Sequence, residues 1–259
     1  MILEKVLKVS VALFICTSLF LSISSTTFAM SNKKSIFIVG DSTASNYSES
    51  LAPRMGWGQV FSRFFNGKVT IHNYALSGRS SKSFWDEGNF AAFVDEINSG
   101  DYLFIQFGHN DEKSYDPSRY TEAYTTYKEY LSKYIDQSRL KGANPVLLTP
   151  VSRRKYNDDG TLKQTHGEYP AAMIELSIEK NVPVIDITQE SFDLFEDLGP
   201  EGTKDLFLHL NPGESPNYPD GKEDNTHFKE KGAIEVSKLI LDGIKELHLP
   251  LKKYIKKCY

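Results

Sequence analysis

Five apolar runs, most of them near-continuous and each separated from the next by a segment of helical spacing, constrain this chain more than any other feature. The runs are residues 36–39, 69–76, 102–107, 145–151 and 182–187. A strand with one wet face alternates apolar and polar residues, whereas a run apolar at nearly every position is buried on both faces. Helical spacing appears over residues 57–65, 90–97, about 120–140, 169–180 and about 229–247, with Gly142 as a stop after the third and Pro250 after the last. In the last helix the apolar stripe is Ala233, Val236, Ile240, Ile244 and Leu247. Strands alternating with helices predict an α/β domain of three layers, α/β/α, around a five-stranded parallel sheet. Residues 192–224 are rich in Gly, Pro, Asp and Asn and are expected to form one long loop.

The first 29 residues are read as a leader and not as part of the fold. Lys5 and Lys8 precede an apolar run at 9–23, and Thr27-Phe28-Ala29 supplies small residues where a signal peptidase cuts. The run is short for a membrane span. The expected division is a signal peptide at 1–29 and one domain at 30–259, with a secreted product that has no membrane partner after cleavage. The remaining chain carries 28 Lys+Arg against 33 Asp+Glu, a net charge of −5, which gives no electrostatic footprint for nucleic acid. Of two cysteines, Cys16 leaves with the leader and Cys258 remains alone, so no intrachain disulfide forms. The six histidines include no pair at metal-ligand spacing, and neither a metal nor another cofactor is predicted.

Candidate chemistry gathers at strand ends, where a parallel sheet builds its sites. Gly40-Asp41-Ser42-Thr43 follows the first run, Ser77-Gly78-Arg79-Ser80 the second, and Gly108-His109-Asn110-Asp111 the third; Asp224-Asn225-Thr226-His227 precedes the last helix. Serine ester hydrolysis needs a nucleophile, a base, a group that orients the base, and donors for the oxyanion. Ser42, His227 and Asp224 supply the first three. The backbone N–H groups of Ser42 and Gly78 and the Asn110 amide supply the donors. Taken singly, each is an ordinary cap or turn residue. Asp41 is expected to brace the nucleophile turn, and His109 to shape its own turn instead of acting as a base.

These four blocks, in this order, resemble those of the SGNH hydrolases, the GDSL-like esterase/lipase superfamily. The Ser, Gly, Asn and His of that name match Ser42, Gly78, Asn110 and His227. Thr43 stands where the eponymous motif has Leu. Together with Met55-Gly56-Trp57-Gly58, Thr149-Pro150 and Arg153-Arg154, it is similar to the rhamnogalacturonan acetylesterase branch. The resemblance spans nearly the whole chain after residue 29. It implies a flavodoxin-like fold and a secreted carbohydrate O-acetylesterase of pectin degradation, acting through an acetyl-serine intermediate. The implied substrate is an acetylated polysaccharide or oligosaccharide, rhamnogalacturonan first. Acetylated xylan, a lipid or another small ester is the alternative among enzymes; a carbohydrate-binding protein with a dead site is the alternative outside them.

Arg79, Arg153 and Arg154, near strand ends, are candidates for reading a substrate carboxylate, and Trp85 for lining the cleft. Tyr120, Tyr124, Tyr127, Tyr130 and Tyr134 share one helix side, where packing on the sheet is expected ahead of sugar stacking.

Overall fold

In β1, Lys34–Gly40, Ile36 and Ile38 turn to one side and Phe37 and Val39 to the other, and all four are buried. That double burial is why the run reads as continuously apolar. The computed structural model describes residues 33–257; the leader read at 1–29 and Cys258 lie outside them. The other strands of the main sheet are β2 Val69–Asn73, β3 Tyr102–Gln106, β4 Asn144–Leu148 and β5 Val184–Ile185. They pair in parallel in the order β2-β1-β3-β4-β5. This is the flavodoxin-like order, in which the chain reverses its winding between β1 and β3 and leaves a crevice past their C-terminal ends.

One face of the sheet packs on α1, Trp57–Val60, and α6, Glu230–Glu246, through Ile36, Ile38, Phe104, Trp57, Val236, Ile240 and Ile244. Helices α3, Lys128–Leu140, and α4, Tyr169–Lys180, cover the other, where Phe37, Val39, Leu103, Ile105, Leu131, Ile135 and Met173 meet. Leu247, expected in the stripe of α6, is exposed instead, because the helix ends before it. Tyr127 and Tyr134 are fully buried, and their hydroxyls donate to the carbonyls of Phe107 (2.8 Å) and Ser81 (2.7 Å). Tyr120 and Tyr130 are half-buried and Tyr124 is exposed, their hydroxyls donating to the carboxylates of Glu122, Asp86 and Glu168, so only Tyr127 and Tyr134 of the stripe are core packing.

Two local expectations are corrected, and one short helix is added. Residues 90–97 form turns and one short 3-10 segment, Val94–Glu96. Phe90, Phe93 and Ile97 are nevertheless buried: apolar residues at helical spacing here anchor a loop. The short helix α2, Ser81–Asp86, was not visible as periodicity, although Ser80 and Ser83 cap its start reciprocally. Residues 192–224 are not one loop. Helix α5, Ile187–Gly202, buries Ile187, Ser191 and Phe195 at four-residue spacing and kinks where Gly199 precedes Pro200. Beyond it, β6, Phe207–Leu210, pairs antiparallel with β7, Lys222–Phe228, and only the segment between them is loop.

Candidate active site

The turn after β1 is fixed from within. Asp41 Oδ1 accepts from the Thr43 amide (2.9 Å) and the Thr43 hydroxyl (2.8 Å), and the Asp41 carbonyl accepts from the Ser45 hydroxyl (2.8 Å). Gln106, a lone amide in the apolar run of β3, donates to the Thr43 hydroxyl (3.0 Å) and accepts from the Trp57 indole (2.9 Å). Thr43 thus contributes a hydrogen-bonding group inside the core that Leu cannot provide. The flanks of Trp57 must be glycine for steric reasons. A Cβ on Gly56 would lie 2.3 Å from the Ser45 carbonyl oxygen, and one on Gly58 2.6 Å from that of Ala44.

Asp224 and His227 belong to β7 itself, not to a loop before the last helix. Leu208 pairs with Asp224, yet the next residue back, Phe207, pairs with Phe228, so Asn225, Thr226 and His227 bulge out of the ladder. In a regular strand, residues three apart face opposite ways; a bulge re-aims them. Asp224 Oδ1 accepts from the amides of Thr226 (2.9 Å) and His227 (3.0 Å), while Oδ2 lies 2.7 Å from His227 Nδ1. Nδ1 therefore carries the proton, and Nε2 is free to accept from Ser42 Oγ at 2.9 Å. Burial alone would raise the Asp224 pKa, but the hydrogen bond and charge of His227 and the two amides hold it well below the usual carboxylate range. The Ser42 side of this chain is buried, and the His227 and Asp224 side chains are about one-fifth exposed.

Gly78 has φ 81°, in the region that favours glycine, and its carbonyl accepts from Arg119 at 3.3 Å. Neither the Ser42 nor the Gly78 amide meets an acceptor among the described residues. One hydrogen of the Asn110 amide goes to the Arg79 carbonyl (3.0 Å), which ties the turns after β2 and β3 together and leaves the second hydrogen available. Lys113, one turn beyond, donates to Asn110 Oδ1 at 2.7 Å and so fixes which way that amide faces. Tyr47 donates to the Ser42 carbonyl at 2.6 Å. Sequence reading missed Tyr47 and Lys113; the spacing of Lys113 three residues after Asn110 is the only signal it offered.

His109 lies buried with Nδ1 3.3 Å from Asp41 Oδ2. Burial pushes its pKa down to about 4 against the pull of that carboxylate, so the ring is neutral at neutral pH, as suits a structural group.

The proposed substrate-reading residues are largely spent elsewhere. Arg153 pairs with Glu112, which also meets His166 at 3.1 Å, and its guanidinium is mostly buried. Arg154 is buried, donating to Asn225 Oδ1 (3.0 Å) and the Pro200 carbonyl. Both brace loops around the site and present no open fork. Trp85 stacks on Phe90 and packs edge-on to Tyr134 in the second core, away from the Ser42 turn. Arg79 remains at the surface, paired with Glu87 at 2.9 Å. Among the described residues, no group of three or more His, Cys, Asp or Glu side chains is arranged to hold a metal ion, and no helix is long and apolar enough to cross a membrane.

A model described as the GDSL-like lipase/acylhydrolase family matches residues 38–213, a span that includes Ser42, Gly78 and Asn110 and stops short of Asp224. The chain is 49% identical over 220 residues to rhamnogalacturonan acetylesterase RhgT of Bacillus subtilis strain 168, covering 85% of this chain and 93% of that one. It is 41% identical over 222 residues to the probable rhamnogalacturonan acetylesterase YesY of the same strain, covering 86% and 97%. Among solved structures it is similar to protein YXIM of Bacillus subtilis, with a TM-score of 0.72 at 26% identity over 84% of this chain; it spans only 58% of that one.

Proposed function

The chain belongs to the GDSL-like lipase/acylhydrolase family, a family of carboxylic ester hydrolases, and from that premise we propose that it removes O-acetyl groups from acetylated rhamnogalacturonan. The observation that carries the reading is the unbroken hydrogen-bond chain from Ser42 Oγ through His227 to Asp224, at 2.9 and 2.7 Å. The substrate rests on the two acetylesterase relatives, each covering more than four-fifths of this chain.

In the proposed mechanism, Ser42 Oγ bonds to the acetyl carbonyl carbon as its proton passes to His227 Nε2. The carbonyl oxygen takes the negative charge, and the amides of Ser42 and Gly78 with the free hydrogen of Asn110 donate to it. Asp224, ionised throughout, stabilises the imidazolium. The ester C–O bond then breaks, the sugar oxygen takes the proton from His227, and acetyl-Ser42 remains. Water repeats the sequence with His227 as base, releasing acetate and restoring Ser42.

The test pairs labelling with substrate choice. A fluorophosphonate is expected to attach to Ser42, and acetate release from acetylated rhamnogalacturonan to exceed release from acetylated xylan at equal ester concentration. Labelling without that preference sinks the substrate and keeps the esterase; an unlabelled Ser42 sinks the mechanism. Export is part of the proposal, since the substrate is a polymer and residues 1–29 read as a leader. Protein recovered from the medium is expected to begin at Met30, and recovery with Met1 intact counts against it.

A further inference from the structure

We propose that Arg54 reads a substrate carboxylate beside the reacting ester, as a uronate anchor one tyrosine ring away from the nucleophile. This rests on the rhamnogalacturonan reading above. Such a backbone is an anion approaching a chain of net charge −5 once residues 1–29 are removed, so a local cation must offset the repulsion.

The chain has seven arginines, and six are committed. Arg63, Arg79, Arg119 and Arg153 pair with carboxylates. Arg139 and Arg154 donate to backbone carbonyls. Arg54 alone has neither kind of acceptor for its guanidinium among the described residues, and its Nε is buried without a hydrogen-bond partner. A guanidinium Nε in that condition gives up solvation with no acceptor in return, which calls for an explanation.

Its position supplies one. The guanidinium carbon lies 4.3 Å from the centroid of the Tyr47 ring, and the Tyr47 hydroxyl donates to the Ser42 carbonyl at 2.6 Å. The next residue, Met55, donates its amide to Phe228 at 2.9 Å, and Phe228 follows His227. Arg54 is therefore fastened to the nucleophile turn on one side and to the strand of the base on the other. Stacking on a ring holds the guanidinium plane while leaving its N–H edge for a ligand. Two parallel N–H donors fit a carboxylate, the group that a uronic acid carries and a neutral sugar lacks.

Arg54→Gln and Arg54→Lys are to be assayed on acetylated rhamnogalacturonan and on 4-nitrophenyl acetate, with KM and kcat separated. Arg54→Gln is expected to raise KM for the polymer about tenfold or more beyond any change with the aryl ester, and Arg54→Lys to recover part of the loss. Oligogalacturonate is expected to inhibit aryl acetate hydrolysis by wild type and to lose about tenfold or more in potency against Arg54→Gln, while its methyl-esterified form does not distinguish the two. Equal losses on both substrates with unchanged inhibition mean that Arg54 only props Tyr47, and overturn the proposal. A wild type inactive on the polymer refutes the substrate reading instead, and the oligogalacturonate comparison still decides Arg54.

Discussion

Thr43→Val tests the buried network under the nucleophile. Thr43, Asp41 and Gln106 are at most 1% exposed, so water does not replace a lost partner. Val fills nearly the same volume, and the change is one of hydrogen bonding. Asp41 Oδ1 loses the hydroxyl at 2.8 Å and keeps the amide at 2.9 Å; Gln106 Nε2 loses its acceptor at 3.0 Å. Each buried polar group left short costs about 1–3 kcal/mol, so the expected loss is about 2–4 kcal/mol. In urea denaturation this is a lower midpoint at unchanged slope. Gln106→Met alone strands the Trp57 indole N–H, while the Thr43 hydroxyl loses one donor and keeps Asp41 as its acceptor; in the double variant no Gln106 amide is left without its acceptor, so the double variant is expected to lose less than the sum of the single losses, by about 1 kcal/mol or more. A shift below about 0.5 kcal/mol for Thr43→Val, or strict additivity in the pair, refutes the network as the support of the turn.

Asn110→Ala is expected to lower kcat about 10²–10³-fold with a smaller change in KM, measured on an aryl acetate, because the donor acts on charge that develops in the transition state. Lys113→Met leaves that donor in place but frees its orientation, so a loss in kcat of about tenfold is expected, and a loss as large as that of Asn110→Ala argues for direct contact with the reacting group. Stability is expected to fall as pH drops from about 6.5 toward about 4: the unfolded His109 takes up a proton that the buried ring refuses, and His109→Gln flattens that limb of the urea midpoint against pH. Exhaustive chelation is expected to leave ester hydrolysis unchanged, and recovery of lost activity on adding back a divalent ion contradicts the metal-free mechanism.

Local sequence determined the elements that announce themselves over short distances. Double burial makes β1, β3 and β4 legible as apolar runs, and α4 appears at its observed bounds because its buried residues recur at helical spacing. The candidates Ser42, Gly78, Asn110, Asp224 and His227 stand out in the sequence because each block has its own turn chemistry and the blocks come in order. Charge on a side chain, by contrast, says nothing about what it faces. Arg153 and Arg154 looked like carboxylate readers and are consumed by Glu112, Asn225 and Pro200, residues 41, 71 and 46 positions away, while Arg54, unremarkable in sequence, is left open. The β6–β7 pair was hidden in a stretch of loop composition because its register depends on strand pairing across the intervening loop. That pairing also creates the bulge at Asn225–His227. Only with both ends of the bulge held by Leu208 and Phe207 do two side chains three residues apart turn to meet each other and Ser42, which lies 185 positions earlier in the chain.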